Sequence, residues 1–249
     1  MIKRAKEISM KRRVVYDLPL RVFHWLFAGL FVMAFVIAKF IEDESSLFSW
    51  HMIAGLTLGF LILCRLIWGV IGTQHAKFSD FALSFNSLRK YFSEILSKNP
   101  RKWVGHNPAS SWAAVLMMLC GVGLVTTGVL MTSSSKKELF EDVHPILAYA
   151  FMALAVLHIA GVILHTLRHR ELIGLSMWDG KKTGVSDSEE IRDTQKVVGV
   201  LLGLAVVLFG FYLNKNYDQR TGKLEIFGLT LQLSENQNDK THSHQDDND

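Results

Sequence analysis

The sequence predicts an all-α integral membrane protein: a four-helix transmembrane bundle followed by a fifth, C-terminal transmembrane helix. Three observations predict it. The chain has 249 residues, of which 49% are hydrophobic. Those residues gather in five runs, 22–41, 50–71, 112–131, 145–167 and 197–213, and no Asp or Glu interrupts any of them. A hydrocarbon core of about 30 Å takes roughly 20 helical residues, with about 17 to 25 acceptable, so the first four runs span comfortably and the fifth is at the short limit.

Charge orients the spans. Lys3, Arg4, Lys6, Lys11, Arg12, Arg13 and Arg21 precede the first run. Lys77, Arg89, Lys90, Lys98, Arg101 and Lys102 separate the second from the third, and Arg168, Arg170, Lys181, Lys182, Arg192 and Lys196 separate the fourth from the fifth. The alternate connections read EDESS (42–46) and SSSKKELFED (133–142), and the final tail is net acidic. Positive loops stay in the cytoplasm, so the N-terminus is expected there and the C-terminus outside. The sequence pI near 9.0 then follows from topology and calls for no nucleic-acid partner.

Taken in order, residues 1–21 form a basic cytoplasmic arm suited to anionic headgroups. It does not read as a cleaved signal, because the run behind it is too long and lacks a small-residue cleavage site. The first span carries His24 in RVFHW near its inner end. The second opens with Trp50-His51 and closes with Arg65 and Trp68, its tryptophans suiting the two headgroup levels. Residues 78–96 repeat Phe78, Phe81, Phe85, Leu88, Phe92 and Ile95 every three or four positions among charges. That amphipathic pattern predicts an interfacial cytoplasmic helix, with a partner-docking face as the weaker reading.

Asn107 and Pro108 are placed to cap the third helix. Its Gly121, Gly123 and Gly128 suit close helix packing or a flat cofactor. Cys64 and Cys120 lie inside spans and read as small packing residues; without a C-x-x-C-H there is no covalent c-type haem attachment. A linker and the fifth span cover 183–213, with 185–195 polar. The external, acidic, largely disordered tail is 214–249. Within that tail, Leu224, Ile226, Leu229, Leu231 and Leu233 nearly alternate, with a phase shift at Phe227-Gly228 that suggests a bulged strand or small hairpin. His242 and His244 beyond it are read as solvated.

The chemistry lies in the intramembrane histidines. His51 and His144 open inward-running spans, so both belong near the outer face. His24 sits at the inner end of the first span, and His158 lies 14 residues beyond His144, ~21 Å deeper on one helix face. Polar residues at such depths are costly and call for a reason. Two pairs of imidazoles, one per leaflet, suit two non-covalent haem b groups with bis-histidine axial ligation in a bundle core. A proton relay or divalent-metal path would want carboxylates in the spans. Arg65, 14 residues after His51, is a candidate partner for a haem propionate, with snorkelling to headgroups an equal alternative. For Arg21 snorkelling is the stronger reading. His165, one heptad below His158, is an alternative ligand or a quinone-site residue. His75, His106 and His169 fall at the inner surface, where ordinary polar roles suffice.

With these residues assembled, the chain resembles the bacterial cytochrome b561 and nickel–iron hydrogenase cytochrome b family from about residue 15 to 182. The marks are VYDLPLRVFHW, WHMIAGLTLGFLILCRLIWGVIG, GHNP, and an H-x13-H fourth span leading into HREL and GKK. The resemblance implies a 22–182 dihaem domain in which His24 pairs with His158 and His51 with His144, the pairing that depth also suggests. The fifth span and tail lie outside the resemblance, and Pro145 stands where an acidic residue is frequent.

The expected function is electron transfer across the bacterial inner membrane, between the quinone pool and a periplasmic partner such as a hydrogenase, another oxidoreductase or a c-type cytochrome. The residues show no nucleophile, phosphate loop or nicotinamide fingerprint, so an electron-transfer subunit is favoured over a catalyst in its own right. One alternative is a quinone-linked oxidoreductase acting on a small oxidant such as superoxide, which Lys136 and Lys137 would attract. Another is a haem-free transporter or structural membrane protein.

Overall fold

A computed structural model of the chain describes residues 11–43, 45–95, 103–133, 137–169 and 172–233. Five long helices carry the five apolar runs: α1 (Leu18–Phe40), α2 (Ser49–Ile71), α4 (Pro108–Ser133), α5 (Lys137–His169) and α7 (Lys196–Lys215). Between them lie α3 (Phe85–Ile95) and the short α6 (Ser176–Asp179). All five long helices are long and apolar enough to cross a membrane. They leave Leu63, Ile67, Leu119 and Val207 exposed, a liability in water but the ordinary condition in lipid. The helices outrun their apolar runs by taking in flanking polar residues. Asn107 Oδ1 accepts from Ser110 N at 2.8 Å, with Pro108 in the first turn. The fifth span reaches 20 residues by taking in Lys196, Asn214 and Lys215.

Contacts divide the chain into two compact units. The first comprises Met1–Trp25, Leu63–Leu119 and Ala150–Gly203. The described part of the basic arm does not lie free: strand β1 (Arg13–Val14) pairs antiparallel with β2 (Lys181–Lys182). Arg12 bonds Asp179 at 2.5 Å, and Arg13 pairs with Glu190 at 3.0 Å and with Asp187. Lys3, Arg4 and Lys6 lie outside the described residues, as do Lys98, Arg101, Lys102 and Arg170. Val15, Tyr16, Leu20, Ala76 and Val185 form the local core, with Trp68 and Met177 against it.

Asp17 is fully buried at its centre. Its carboxylate caps α1 by accepting from Leu20 N at 2.9 Å, and it takes Trp68 Nε1 at 3.0 Å and Thr73 Oγ1 at 2.6 Å. The polar 185–195 linker is held too: Val185 and Ile191 are buried, Ile191 N bonds Val14 O at 3.0 Å, and Leu18 N bonds Thr194 O at 2.8 Å. Local polarity had hidden these long-range contacts.

The interfacial helix expected over 78–96 begins at Phe85, seven residues late. Phe78–Asp80 form a 3-10 turn instead. The reason is packing: the Phe78 ring fills the space a Cβ on Gly69 would take and lies under the Arg65 guanidinium, 4.6 Å from its carbon. A helix from Phe78 would lift that ring away.

The second unit comprises Leu26–Ile62, Cys120–Tyr149 and Leu204–Asp249. After α7 the chain forms a three-stranded antiparallel sheet, β3 (Tyr217–Asp218), β4 (Lys223–Ile226) and β5 (Leu229–Gln232). Leu224 faces Leu231 and Ile226 faces Leu229 across the hairpin. The phase shift read at Phe227-Gly228 is its two-residue turn, with φ of 48° and 82°, the left-handed pair that such a turn requires. Leu224, Leu233, Ile53 and Leu213 make a buried cluster that clamps the sheet to α2 and α7. Strand Leu229–Gln232 occupies part of the tail expected to be largely disordered. His242 and His244 lie outside the described residues.

Candidate functional site

In the second unit α2 brings His51 and α5 brings His144 together, with ring centroids 6.0 Å apart and planes at 66°. Each ring is held at Nδ1. His51 Nδ1 lies 2.8 Å from Ala34 O, an acceptor only, so that nitrogen carries the hydrogen. His144 Nδ1 lies 2.8 Å from Thr127 Oγ1. The single hydroxyl hydrogen of Thr127 goes to a main-chain carbonyl, Gly123 O at 2.8 Å or Leu124 O at 3.1 Å. Thr127 therefore accepts and His144 donates. Both imidazoles are fixed as the tautomer whose Nε2 lone pair is free for a metal. Phe48 stacks on His51 at 5.1 Å and supports its plane. Pro145, the departure noted in the sequence, leaves α5 continuous, and Thr127 supplies the contact to His144.

The pair lines an apolar cavity of about 190 Å³, over ten times what one water needs. Its walls are thinned by Ala34, Ala38, Gly55, Gly128 and Ala148. A Cβ on Gly55 would meet nothing within 4 Å. Lys39 and Tyr149 are polar members of the lining, with Nζ 3.4 Å from the phenol oxygen. Sequence reasoning missed Thr127, Lys39 and Tyr149; the offset of Lys39 from His51 along neighbouring spans was the available signal for one of them.

This donor set fits a haem. The 6.0 Å between ring centres is close enough for both imidazoles to bind one metal, which would need about 2 Å per bond and about 1 Å from nitrogen to ring centre on each side. Among the described residues no three His, Cys, Asp or Glu side chains gather as a metal site. His51 and His144 would hold a metal whose other ligands come from a macrocycle.

In the first unit His24, on α1, and His158, on α5, lie within electrostatic reach of each other. Trp25 stands edge-on to His24 at 5.2 Å, itself anchored by Nε1 to Met177 O at 2.9 Å. Here the orphans accumulate: His24 Nδ1, Arg65 Nη1, His106 Nδ1 and Trp112 Nε1 are buried without a hydrogen-bond partner. Buried polar atoms are rarely left so, and a bound group with hydrogen-bonding atoms of its own would satisfy them. Arg65 is 4% exposed, too enclosed to snorkel. Arg21 is committed to the main chain, with Nε to Asp17 O at 3.3 Å and Nη1 to Trp178 O. His165 sits partly buried on α5 in the same unit.

The surface histidines differ more than the sequence suggested. Burial lowers the pKa of His75, but Asp80 at 3.0 Å and Glu189 O at 3.0 Å outweigh it and hold the imidazole above its ordinary value. His106 is wedged against Tyr16 and Phe81, its ring centre 4.8 Å from that of Phe81. Burial first, then Lys182 and Arg65, push its pKa down to about 3.

Comparison with known proteins identifies the family. The prokaryotic cytochrome b561 family matches residues 15–180. The chain belongs to that family. This cytochrome is 23% identical to the probable Ni/Fe-hydrogenase B-type cytochrome subunit of Rhodobacter capsulatus, over 73% of its own length and 87% of that protein. A Cupriavidus necator protein of the same name is 23% identical over 70% and 88%. The Escherichia coli K12 hydrogenase 1 counterpart is 25% identical over 51% and 63%. No solved structure matches the chain significantly. The cytochrome is a multi-pass membrane protein of an electron-transfer family whose b-type members carry haem b. Family membership does not support a haem-free transporter.

Proposed function

We propose that this cytochrome is a dihaem electron carrier that passes electrons across the bacterial inner membrane between the quinone pool and a periplasmic redox partner. His51 and His144 hold one haem b; His24 and His158 hold the other. The observation that carries the reading is the His51–His144 pair, with both Nδ1 atoms engaged and both Nε2 atoms free beside an apolar cavity. When bound, each haem would supply a one-electron iron couple in the membrane.

The chain's own residues do the rest. Ala34 O and Thr127 fix ring tautomer and orientation. The apolar lining excludes water and so disfavours the more highly charged oxidised state. Lys39 beside the first pair, and the buried Arg65 of the unit that holds the second, would neutralise propionates. The charge bias of the loops supports a cytoplasmic N-terminus and periplasmic C-terminus. The names of the relatives support a hydrogenase-like oxidoreductase as the partner.

The test is haem stoichiometry by pyridine haemochrome. The parent is expected to carry two haems per chain. His51→Ala or His144→Ala is expected to lose the same one, and His24→Ala or His158→Ala the other. Loss of the second haem in His165→Ala but not in His158→Ala would overturn the assignment on α5.

A further inference from the structure

Residues beyond 180 lie outside the stretch the family matches, yet the wall of the His51–His144 cavity includes Leu231 and Leu233. Both belong to the C-terminal segment of the second unit. Leu231 faces Leu224 across the hairpin, and Leu224, completely buried, packs with Leu213 of α7 and Ile53 of α2. Ile53 follows His51 by two residues. The sheet is therefore not an appendage. Its apolar face is clamped to the helix that carries one of the paired imidazoles, while Lys223, Glu225, Thr230 and Gln232 on the other face stay exposed.

We propose that the C-terminal sheet is a wall of the His51–His144 haem site, and that Leu231 and Leu233 set the reduction potential of that haem by keeping water from it. This rests on the haem reading of that pair. A bis-imidazole haem carries one more positive charge when oxidised. A dry apolar wall disfavours that state and raises the potential; a polar or wet wall lowers it. Plain clamping of the fold would not move the potential of one haem selectively.

The test is redox potentiometry of the purified full-length holoprotein, with the haem that His51→Ala removes identified spectrally. Leu231→Gln and Leu233→Gln are expected to keep both haems. Each is expected to lower the ferrous-to-ferric ratio of that haem about tenfold at a fixed ambient potential, ~59 mV for one electron, with the other haem unmoved. Leu229→Gln, at the exposed tip outside the cavity wall, is the control and is expected to change neither. Should Leu233→Gln fail to assemble, the half-buried Leu231 decides, and Leu231→Ala carries the same measurement if Leu231→Gln also fails. An unchanged potential with both haems bound overturns the wall. Retention of full haem in His51→Ala overturns the haem site itself, so the two failures are distinct.

Discussion

Replacing Thr127 by Val removes one oxygen at nearly constant volume from the contact that holds His144. In the parent, Thr127 Oγ1 sits 2.8 Å from His144 Nδ1 while its own hydrogen goes to the main chain. The variant leaves a buried N–H in search of an acceptor. The Leu124 carbonyl is within reach of the imidazole and recovers part of the loss, so the cost is about 1 to 1.5 kcal/mol rather than the full penalty of an orphaned donor. Part of that cost falls on haem affinity, about tenfold weaker at most. Part falls on the redox equilibrium: an imidazole that donates to a good acceptor is a stronger base and favours the oxidised metal, so weakening the bond raises the potential. If the whole 1.4 kcal/mol were differential, the rise would be ~59 mV; a shift of a few tens of mV upward is expected. Potentiometry of the α band measures it, with Thr127→Ser, which keeps the hydroxyl, staying near the parent value. Equal potentials in the parent, Thr127→Val and Thr127→Ser would refute the reasoning, as would equal shifts in both variants.

Four further outcomes follow from the first unit. Asp17→Ala removes a helix cap and strands the donors of Trp68 and Thr73; a loss of about 2–4 kcal/mol is expected, read as a lower melting temperature in detergent, with Asp17→Asn intermediate. Arg65→Gln is expected to lower the potential of the haem lost in His24→Ala by about tenfold in its ferrous-to-ferric ratio, while the His51–His144 haem stays put; potentiometry separates them. His106, held near 3 against an ordinary 6.5, refuses a proton that the unfolded chain accepts, so stability falls as pH drops below that ordinary value, at up to about 1.4 kcal/mol per pH unit; melting of His106→Asn at successive pH values is expected to show a shallower acid loss. His75 acts with the opposite sign, since its raised pKa gives stability present in full below its ordinary value and lost as pH rises through the folded value, so His75→Asn is expected to steepen the acid loss.

The family and the five spans were legible because hydropathy, helical spacing and motif are properties of neighbouring positions along the chain, and the same spacing singled out His51 and His144, which the structure brings together. Asn107 and Pro108 at the head of α4 and the turn at Phe227-Gly228 were legible for the same reason. The start of α3 was not. Phe78 has the right period for the helix, but its ring is taken by Gly69 and Arg65, and nothing nearby in the sequence says so. The linker at 185–195 misled similarly, because its polarity is local while Ile191 and Val185 are buried against the other end of the chain.

By itself, then, the sequence determined that this chain has five helices apolar enough to cross a membrane and that three of them carry imidazoles. Tertiary structure alone decided what holds those imidazoles. Thr127 lies 17 residues before His144, and Leu231 lies 180 residues after His51. Each meets the site only because separate elements fold against one another. Which nitrogen of His144 is free, and whether the C-terminal leucines wall the cavity, depend on distances across space that no periodicity along the chain encodes.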